Sequence, residues 1–344
     1  MTWDIFKETK LEWQKHFVQF NGHYRQSFDW GEYKKLMGWK ILRLQKIDKF
    51  KKKTLIQLTY KKFSIFSAIY IPGHISGDVS LLNNELRNAI KKYTNSIFLY
   101  VRFDNNSTSY DLQNEVMIKN GWKRPIHREH TSKTLELEID KEKQNFLNNI
   151  KKNWKKSYKK SMKRLKENKI SYKITNDPNV KELVLVDKIM TRSRKIYTNH
   201  SENEFRFLIN TARSNVVFII AYSLEGDPLS FRSMIYFDEK GWDLGGATTP
   251  KGKKALVDYF IMVELLNKAS SLNVKHYNLG DIGKEKNIGV HNFKKGVGGK
   301  ELIYSGEWEW SNVPFLRITI NFIIFLLMLN IMRKFFPSIN NIRF

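Results

Sequence analysis

The run FKKGVGG at 293–299 is the most chemically suggestive stretch of the sequence. A lysine pair is followed by three glycines in four residues. A lysine held beside a reacting carbonyl can take up the negative charge that develops in a transition state. Glycine allows backbone to approach a ligand closely. The same run also reads as a lysine-rich surface turn. YNLGDIG at 277–283 closes a predicted strand, where α/β proteins tend to place ligands; Asp281 there is either an ammonium ligand or part of a tight turn. MTRSRKIY at 190–197 puts Arg192, Arg194 and Tyr197 at a predicted helix end. A guanidinium grips phosphate through two hydrogen bonds, and a phenol adds a donor; the alternative is a solvated helix end. YVRFDNN at 100–106 sends Arg102 and Asp104 to one face of an apolar strand. Asp104 is a candidate base or orienting group, or a strand-end aspartate that satisfies a turn.

Other chemistries are excluded or disfavoured. There is no cysteine, so disulfides, thiolate catalysis and cysteine zinc sites are out. The eight histidines contain no HExxH, and His127 and His130 of HREH lack a third ligand at matching spacing, so no metal is expected. No GxSxG nucleophile elbow and no GxxxxGK[ST] phosphate loop occur. GDIG and GVGG match the four-letter GXXG of KH domains, but neither joins two evident helices.

Lys and Arg total 60 against 34 Asp and Glu, a net charge of +26 in 344 residues. A field of that size draws in nucleic acid, phosphorylated molecules and anionic membrane surfaces alike. The opening residues MTWDIFKETKLEWQKHF lack the apolar core of a signal peptide, so the folded part is expected in the cytoplasm.

Several elements must position these residues. Short helices are predicted over Trp13 to Phe17 and Trp30 to Leu36, the second capped by Asp29 and stopped by Gly38. Alternating strands follow at 39–47, in TLIQLTYKK and in SIFSAIYIP. A helix over Leu81 to Tyr93, a strand SIFLYVRFD, a helix over Leu112 to Asn120 and a strand KTLELEI complete the first half. Residues 141–169 read as one long helix, with Leu147, Ile150, Trp154, Tyr158 and Leu165 near one side. Lys152, Lys156 and Lys160, and Lys151, Lys155 and Lys159, recur every four residues. That dense positive face, with Trp154 and Tyr158, suits a phosphate backbone. The second half repeats the theme: helices at 180–197 and 202–214, a strand NVVFIIAYSLEG, a hairpin at 228–246, a helix at 254–269 and a strand VKHYNLGDIG. A pseudo-repeat is expected, divided as 1–145, 146–312 and a tail at 313–344. The tail, VPFLRITINFIIFLLMLNIM, is long enough to span hydrocarbon. Arg317, Asn321 and Asn330, and basic charge on both flanks, favour a helix lying in the interface over a clean span. A helix packed on the body or on a partner is the alternative.

Taken in order, these pieces resemble the Fem family of peptidoglycan aminoacyltransferases. The resemblance runs through QSFDWGEYKKLMGW (26–39), AIYIPG (68–73), FLYVRFD (98–104), GW (121–122), TLELEID (134–140), WDLGGA (242–247), YNLGDIG (277–283) and FKKGVGGKELIYSGEWE (293–309). It implies an α/β (α+β) fold of tandem acetyltransferase-like (GNAT) domains with mixed central sheets and a groove between them. The C-terminal hydrophobic helix is extra. It further implies transfer of an amino acid from aminoacyl-tRNA to an amino group of a lipid-linked or nucleotide-linked peptidoglycan precursor, with no bound cofactor. Phe293 and Lys294 match the family's Phe-Lys pair, whose lysine stabilises the oxyanion. Lys34 matches a lysine on the precursor's phosphates. Arg194, with Arg192 and Tyr197 beside it, matches a phosphate-binding arginine near a tyrosine. Asp104 matches an aspartate proposed to aid acceptor deprotonation.

Two other readings stay open. Related enzymes use acyl-CoA on cell-envelope sugars or polysaccharides, although the nearest stretch to a pyrophosphate loop, TPKGKKA at 249–255, matches it poorly. A nonenzymatic protein that binds RNA or precursor would also keep the fold. The partners expected are tRNA, the precursor and an anionic membrane surface. The location expected is the cytoplasmic side of the cell membrane, reached through the tail.

Overall fold

The computed structural model describes residues 2–108, 110–128, 132–139, 150–194, 200–283 and 288–328. Its elements follow in chain order. First come β1 (Asp4–Ile5), α1 (Lys10–Gln19), α2 (Phe28–Leu36), β2 (Lys40–Ile47), β3 (Lys53–Phe63), β4 (Phe66–Pro72), α3 (Asn84–Thr94), β5 (Phe98–Asn105) and α4 (Tyr110–Lys119). Next are β6 (Lys133–Glu138), α5 (Lys152–Glu167), β7 (Ser171–Thr175), α6 (Val180–Ser193), α7 (Glu202–Ala212), β8 (Val216–Tyr222), β9 (Pro228–Phe237) and β10 (Lys240–Thr248). Then come α8 (Pro250–Lys254), α9 (Val257–Ser271), β11 (His276–Asp281), α10 (Ile288–Val297), β12 (Lys300–Ile303), β13 (Gly306–Ser311) and α11 (Pro314–Met328).

The chain forms two units. One takes in residues 1–132 and 303–344, the other 133–302. The first holds a sheet ordered β1-β2-β3-β4-β5-β13, the second a sheet ordered β12-β6-β11-β10-β9-β8-β7. In each, four consecutive antiparallel strands lead through a helical crossover to one parallel neighbour, β5 beside β4 and β11 beside β10. An antiparallel strand from elsewhere in the chain then closes the pattern. β13 pairs with β5, and β6 pairs with β11. This exchange places the divisions at 132 and 302, where the sequence reading had put them at 145 and 312. KTLELE and GEWEWS are apolar-alternating strands that each need a sheet edge, and each finds it in the unit of the other half of the chain.

Local chemistry explains the element ends. Ser27, not Asp29, caps α2: its side chain accepts from the Trp30 amide at 3.2 Å. Asp29 lies in the first turn, buried, and pairs with Lys10. The helix expected from residue 254 starts later, because Leu256 takes a left-handed φ of 61° and splits α8 from α9. The basic helix is described from Lys152 to Glu167; residues 140–149 lie outside the described residues, as do His130 and the tail beyond 328. Each unit has its own core. Leu44, Ile56, Leu58, Ile71 and Phe103 centre the first, and Ile219, Met234, Val257, Leu265 and Leu279 the second.

Candidate active site

The two parallel strand pairs differ in a way that matters for binding. In the first unit β4 and β5 stay in register from Phe66 opposite Phe98 to Pro72 opposite Asp104. In the second, β10 and β11 pair only from Lys240 opposite His276 to Trp242 opposite Asn278, although both strands run on. Each is also distorted on its outer side. β10 shifts register against β9 between Asp243 and Gly245, and β11 against β6 between Asn278 and Asp281. Such bulges bend a strand and raise its twist. Gly245 and Gly280 supply left-handed backbone at these points, with φ of 113° and 70°. The strands therefore part beyond Trp242 and Asn278 and leave backbone on both sides unpaired by its neighbour.

Lys294 reaches this opening from α10. Its Nζ donates to the Asp281 carbonyl at 3.0 Å and lies 3.6 Å from where a Cβ on Gly280 would stand. Burial pushes its pKa down; Arg232 pushes the same way, while Asp243 and Asp281 oppose. Arg232 donates to Asp243 at 2.7 Å, both largely buried, and its guanidinium lies 5.3 Å from the Phe293 ring centre. Arg232 Nε, Asp243 Oδ1 and the hydroxyl of the fully buried Tyr277 find no hydrogen-bond partner among the described residues. Burial, with Asp243 adding to it, raises the Tyr277 pKa well above the phenol range. Buried polar groups are nearly always paired; Arg232 and Asp243, which both act on the charge of Lys294, each keep one such position among the described residues.

FKKGV is helix, not the glycine turn it resembled: Phe293 to Gly296 lie in the last turns of α10. Gly296 is required by packing, since a Cβ there would meet the Trp154 ring at 2.5 Å. Trp154 is 4% exposed and packs on Tyr259 and Phe293, at ring separations of 4.9 and 5.7 Å. It therefore braces Phe293 and offers no platform to a base; the lysines of α5 occupy its exposed faces. Asp281 forms the tight turn, its Oδ1 accepting from the Gly283 amide at 2.8 Å, while its carbonyl holds Lys294.

Asp104 and Lys34 belong to the first unit. Asp104 is buried at the end of β5, and its Oδ2 accepts from Arg25 Nη1 at 2.9 Å and from the Tyr70 hydroxyl at 3.4 Å. Burial opposes the charge of Arg25, but Tyr24, Tyr70 and Asp104 outweigh it and raise its pKa. Asp104 thus orients Arg25 through this ion pair. Lys34 is buried in α2, with Nζ 5.8 and 5.5 Å from the rings of Trp30 and Trp39. In the second unit Arg192 is exposed in the last turn of α6 and Arg194 caps that helix. Tyr197 lies outside the described residues. Lys253 of α8 has its pKa lowered by burial and by Arg194, so two cations face one another there. A separate cavity of about 610 Å³ is lined by Arg164, Lys169, Lys251 and Lys254 with Glu167 and Glu225. Among the described residues no His, Asp and Glu cluster could hold a metal.

Both sheets have a four-strand meander, a parallel crossover and an exchanged strand beside it, and only one is splayed. The structure matches the crystal structure of FemX with a TM-score of 0.72, over 92% of this chain and 100% of that one, at 14% identity. The chain has the fold of FemX. It also matches L-PGS from Bacillus licheniformis (TM-score 0.53, 12% identity, 90% and 95% of the two chains). A tandem GNAT protein from the clavulanic acid biosynthesis pathway matches at 0.53 and 7% identity, over 91% and 98%. No protein-family model matches the sequence, and no curated protein matches it. The mixed α/β architecture with GNAT-like sheets expected from the sequence is thus the observed one.

Sequence reasoning missed Arg232, Asp243, Tyr277, Arg25 and Tyr70. A charged residue inside an otherwise apolar strand was a signal for two of them, in PLSFRSMIYF and GWDLGG.

Proposed function

We propose that this protein is an acyltransferase of the Fem kind, which moves an amino acid from aminoacyl-tRNA to an amino group of a peptidoglycan precursor. The observation that carries this reading is Lys294, drawn into the β10/β11 opening against Asp281 and flanked by buried groups with spare hydrogen bonds. In that reaction the acceptor amine attacks the ester carbonyl carbon. The C–N bond forms, the carbonyl oxygen becomes an oxyanion, and the C–O bond to the ribose then breaks. The amine loses a proton and the departing ribose oxygen gains one. The Lys294 ammonium supplies charge to the oxyanion, and Phe293, held by Trp154 and Tyr259, fixes where α10 places it. Asp104, through Arg25, and Lys34 bind and orient the acceptor. Arg194, Arg192 and Tyr197 hold phosphate.

A second reading, acyl-CoA-dependent transfer to an envelope sugar, is favoured by the likeness to the tandem GNAT protein. Against it stands the loop at 249–255. Thr249 takes the Gly252 amide at 3.1 Å as a helix cap, and a Cβ on Gly252 would meet the Leu229 carbonyl at 2.6 Å. That glycine serves packing, and its amide is not free for a pyrophosphate.

The test supplies full-length protein with labelled aminoacyl-tRNA or acetyl-CoA, each with a lipid-linked and a nucleotide-linked pentapeptide precursor. Label is expected to move from the tRNA. Lys294→Ala should lower kcat about a hundredfold to a thousandfold, the range for loss of one oxyanion donor. Transfer from acetyl-CoA alone would establish the second reading, and unchanged turnover in Lys294→Ala would remove the lysine from the mechanism.

A further inference from the structure

One region of the first unit gathers several large exposed apolar residues from separate stretches of chain. α11 turns Ile320 and Ile324 onto Ala68 and Tyr100, with Phe66 packed beside them. Its other side leaves Phe315, Ile318, Phe322 and Ile323 in solvent, Phe315 at 71% and Phe322 at 58%. A helix docked on a body ordinarily shows polar residues outward; this one is apolar on both sides. Of its polar residues, Arg317 and Asn321 point inward, while the Thr319 hydroxyl bonds locally to the Phe315 carbonyl. Asn321 donates to Glu309 at 2.7 Å and accepts from the Ile126 and His127 amides at 3.1 and 3.2 Å, and Arg317 pairs with Glu309.

The apolar region continues beyond the helix. Phe63, 59% exposed at the end of β3, stacks with Phe66 at 6.1 Å. Ile65 and Ile97 are also exposed, and the Ile65 carbonyl accepts from the Ile97 amide at 2.8 Å. Asn312, just before α11, donates to the Ile97 carbonyl at 2.8 Å. Three separate stretches thus bring large apolar side chains together. Lys61 and Lys62 adjoin Phe63, and Lys91 and Lys92 end α3 beside Ile97. Residues 61–66, 91–98 and 312–328 contain no Asp or Glu.

We propose that this face seats the protein on an anionic lipid bilayer, with α11 lying in the headgroup plane and Phe63, Ile65 and Ile97 entering beside it. Exposed apolar side chains in stretches that carry lysines and no acids, on a chain of net charge +26, are complementary to a negatively charged interface. No helix among the described residues is long and apolar enough to cross a membrane. The proposal goes beyond the transfer reading and does not depend on it.

The experiment measures cosedimentation of the full chain with phosphatidylcholine vesicles, with and without phosphatidylglycerol. Wild type is expected to prefer the anionic vesicles and to be released by salt. Phe63→Ser with Ile65→Ser should weaken that binding at least about tenfold, with an unchanged circular dichroism spectrum and unchanged transfer to a nucleotide-linked acceptor. Phe315→Ser with Phe322→Ser should do the same. Unaltered binding in the turn variant overturns the proposal, as does equal affinity for neutral vesicles. A vesicle-free dimer that the turn variant abolishes would also overturn it, by assigning the face to a second copy.

Discussion

In the proposed transfer Lys294 works only while it is charged, and its surroundings make that charge harder to keep. Burial and Arg232 lower its pKa, with Asp243 and Asp281 in partial opposition. A lysine whose folded pKa is depressed loses its proton at a lower pH than a free one. Transfer is therefore expected to fall on the alkaline side below the ordinary lysine value. Lys294→Arg keeps its charge throughout, so whatever activity it retains should show that limb displaced upward or absent. A limb at the same pH in both proteins would assign it to another group. The pH profile of kcat/KM decides. At this scale the sequence was legible where a residue type was unusual in its run, as with the lysine pair of FKKGVGG. It marked Arg232 and Asp243 as charges in apolar strands but not that they meet Tyr277, since the three come together only because β9, β10 and β11 lie side by side. Trp154 misled for a physical reason: amphipathic spacing marks which side of a helix is apolar but not what covers it.

Elements were easier to read than their roles. Most strands and helices fell near their predicted places, since alternation and caps are local. The splay of β10 from β11 was not legible, because it depends on bulges against two further strands. The tail shows the same division. Its helix was expected, and Arg317 and Asn321 were noted as poor companions for a spanning segment. The structure shows their function, which is to pin α11 to the buried Glu309, itself also bonded to Tyr100 at 2.8 Å. Asn321→Leu would leave Glu309 short of a donor and two amides without an acceptor. Unsatisfied buried groups cost about 1–3 kcal/mol each. A loss of about 2 kcal/mol in denaturant unfolding is expected, together with easier proteolysis near residue 314. Wild-type resistance in that variant would show that Ile320 and Ile324 alone hold the helix.

Over the whole molecule, the exchange of β6 and β13 decides which pieces can stand alone. The boundaries drawn from the sequence followed composition and helix starts, and composition carries no record of which sheet a strand joins. A chain ending at residue 312 should keep the first unit's sheet, and its circular dichroism and cooperative melting should persist. One ending at residue 302 lacks β13, exposes the edge of β5 and leaves Arg102 without Glu307, its buried partner. Loss of one partner of a buried pair costs about 3–5 kcal/mol, so that shorter chain should be insoluble or unfolded in its first unit. Equal stability of the two truncations would mean that β13 contributes nothing essential. The same arrangement sets an order of events on the ribosome. Residues 133–302 are contiguous, so the second unit can fold once they have emerged. The first unit, though made earlier, must wait with β5 uncovered until residues 306–311 leave the exit tunnel. An open, apolar strand edge invites mispairing, and the nascent protein is exposed to that hazard for the time it takes to synthesise the entire other unit.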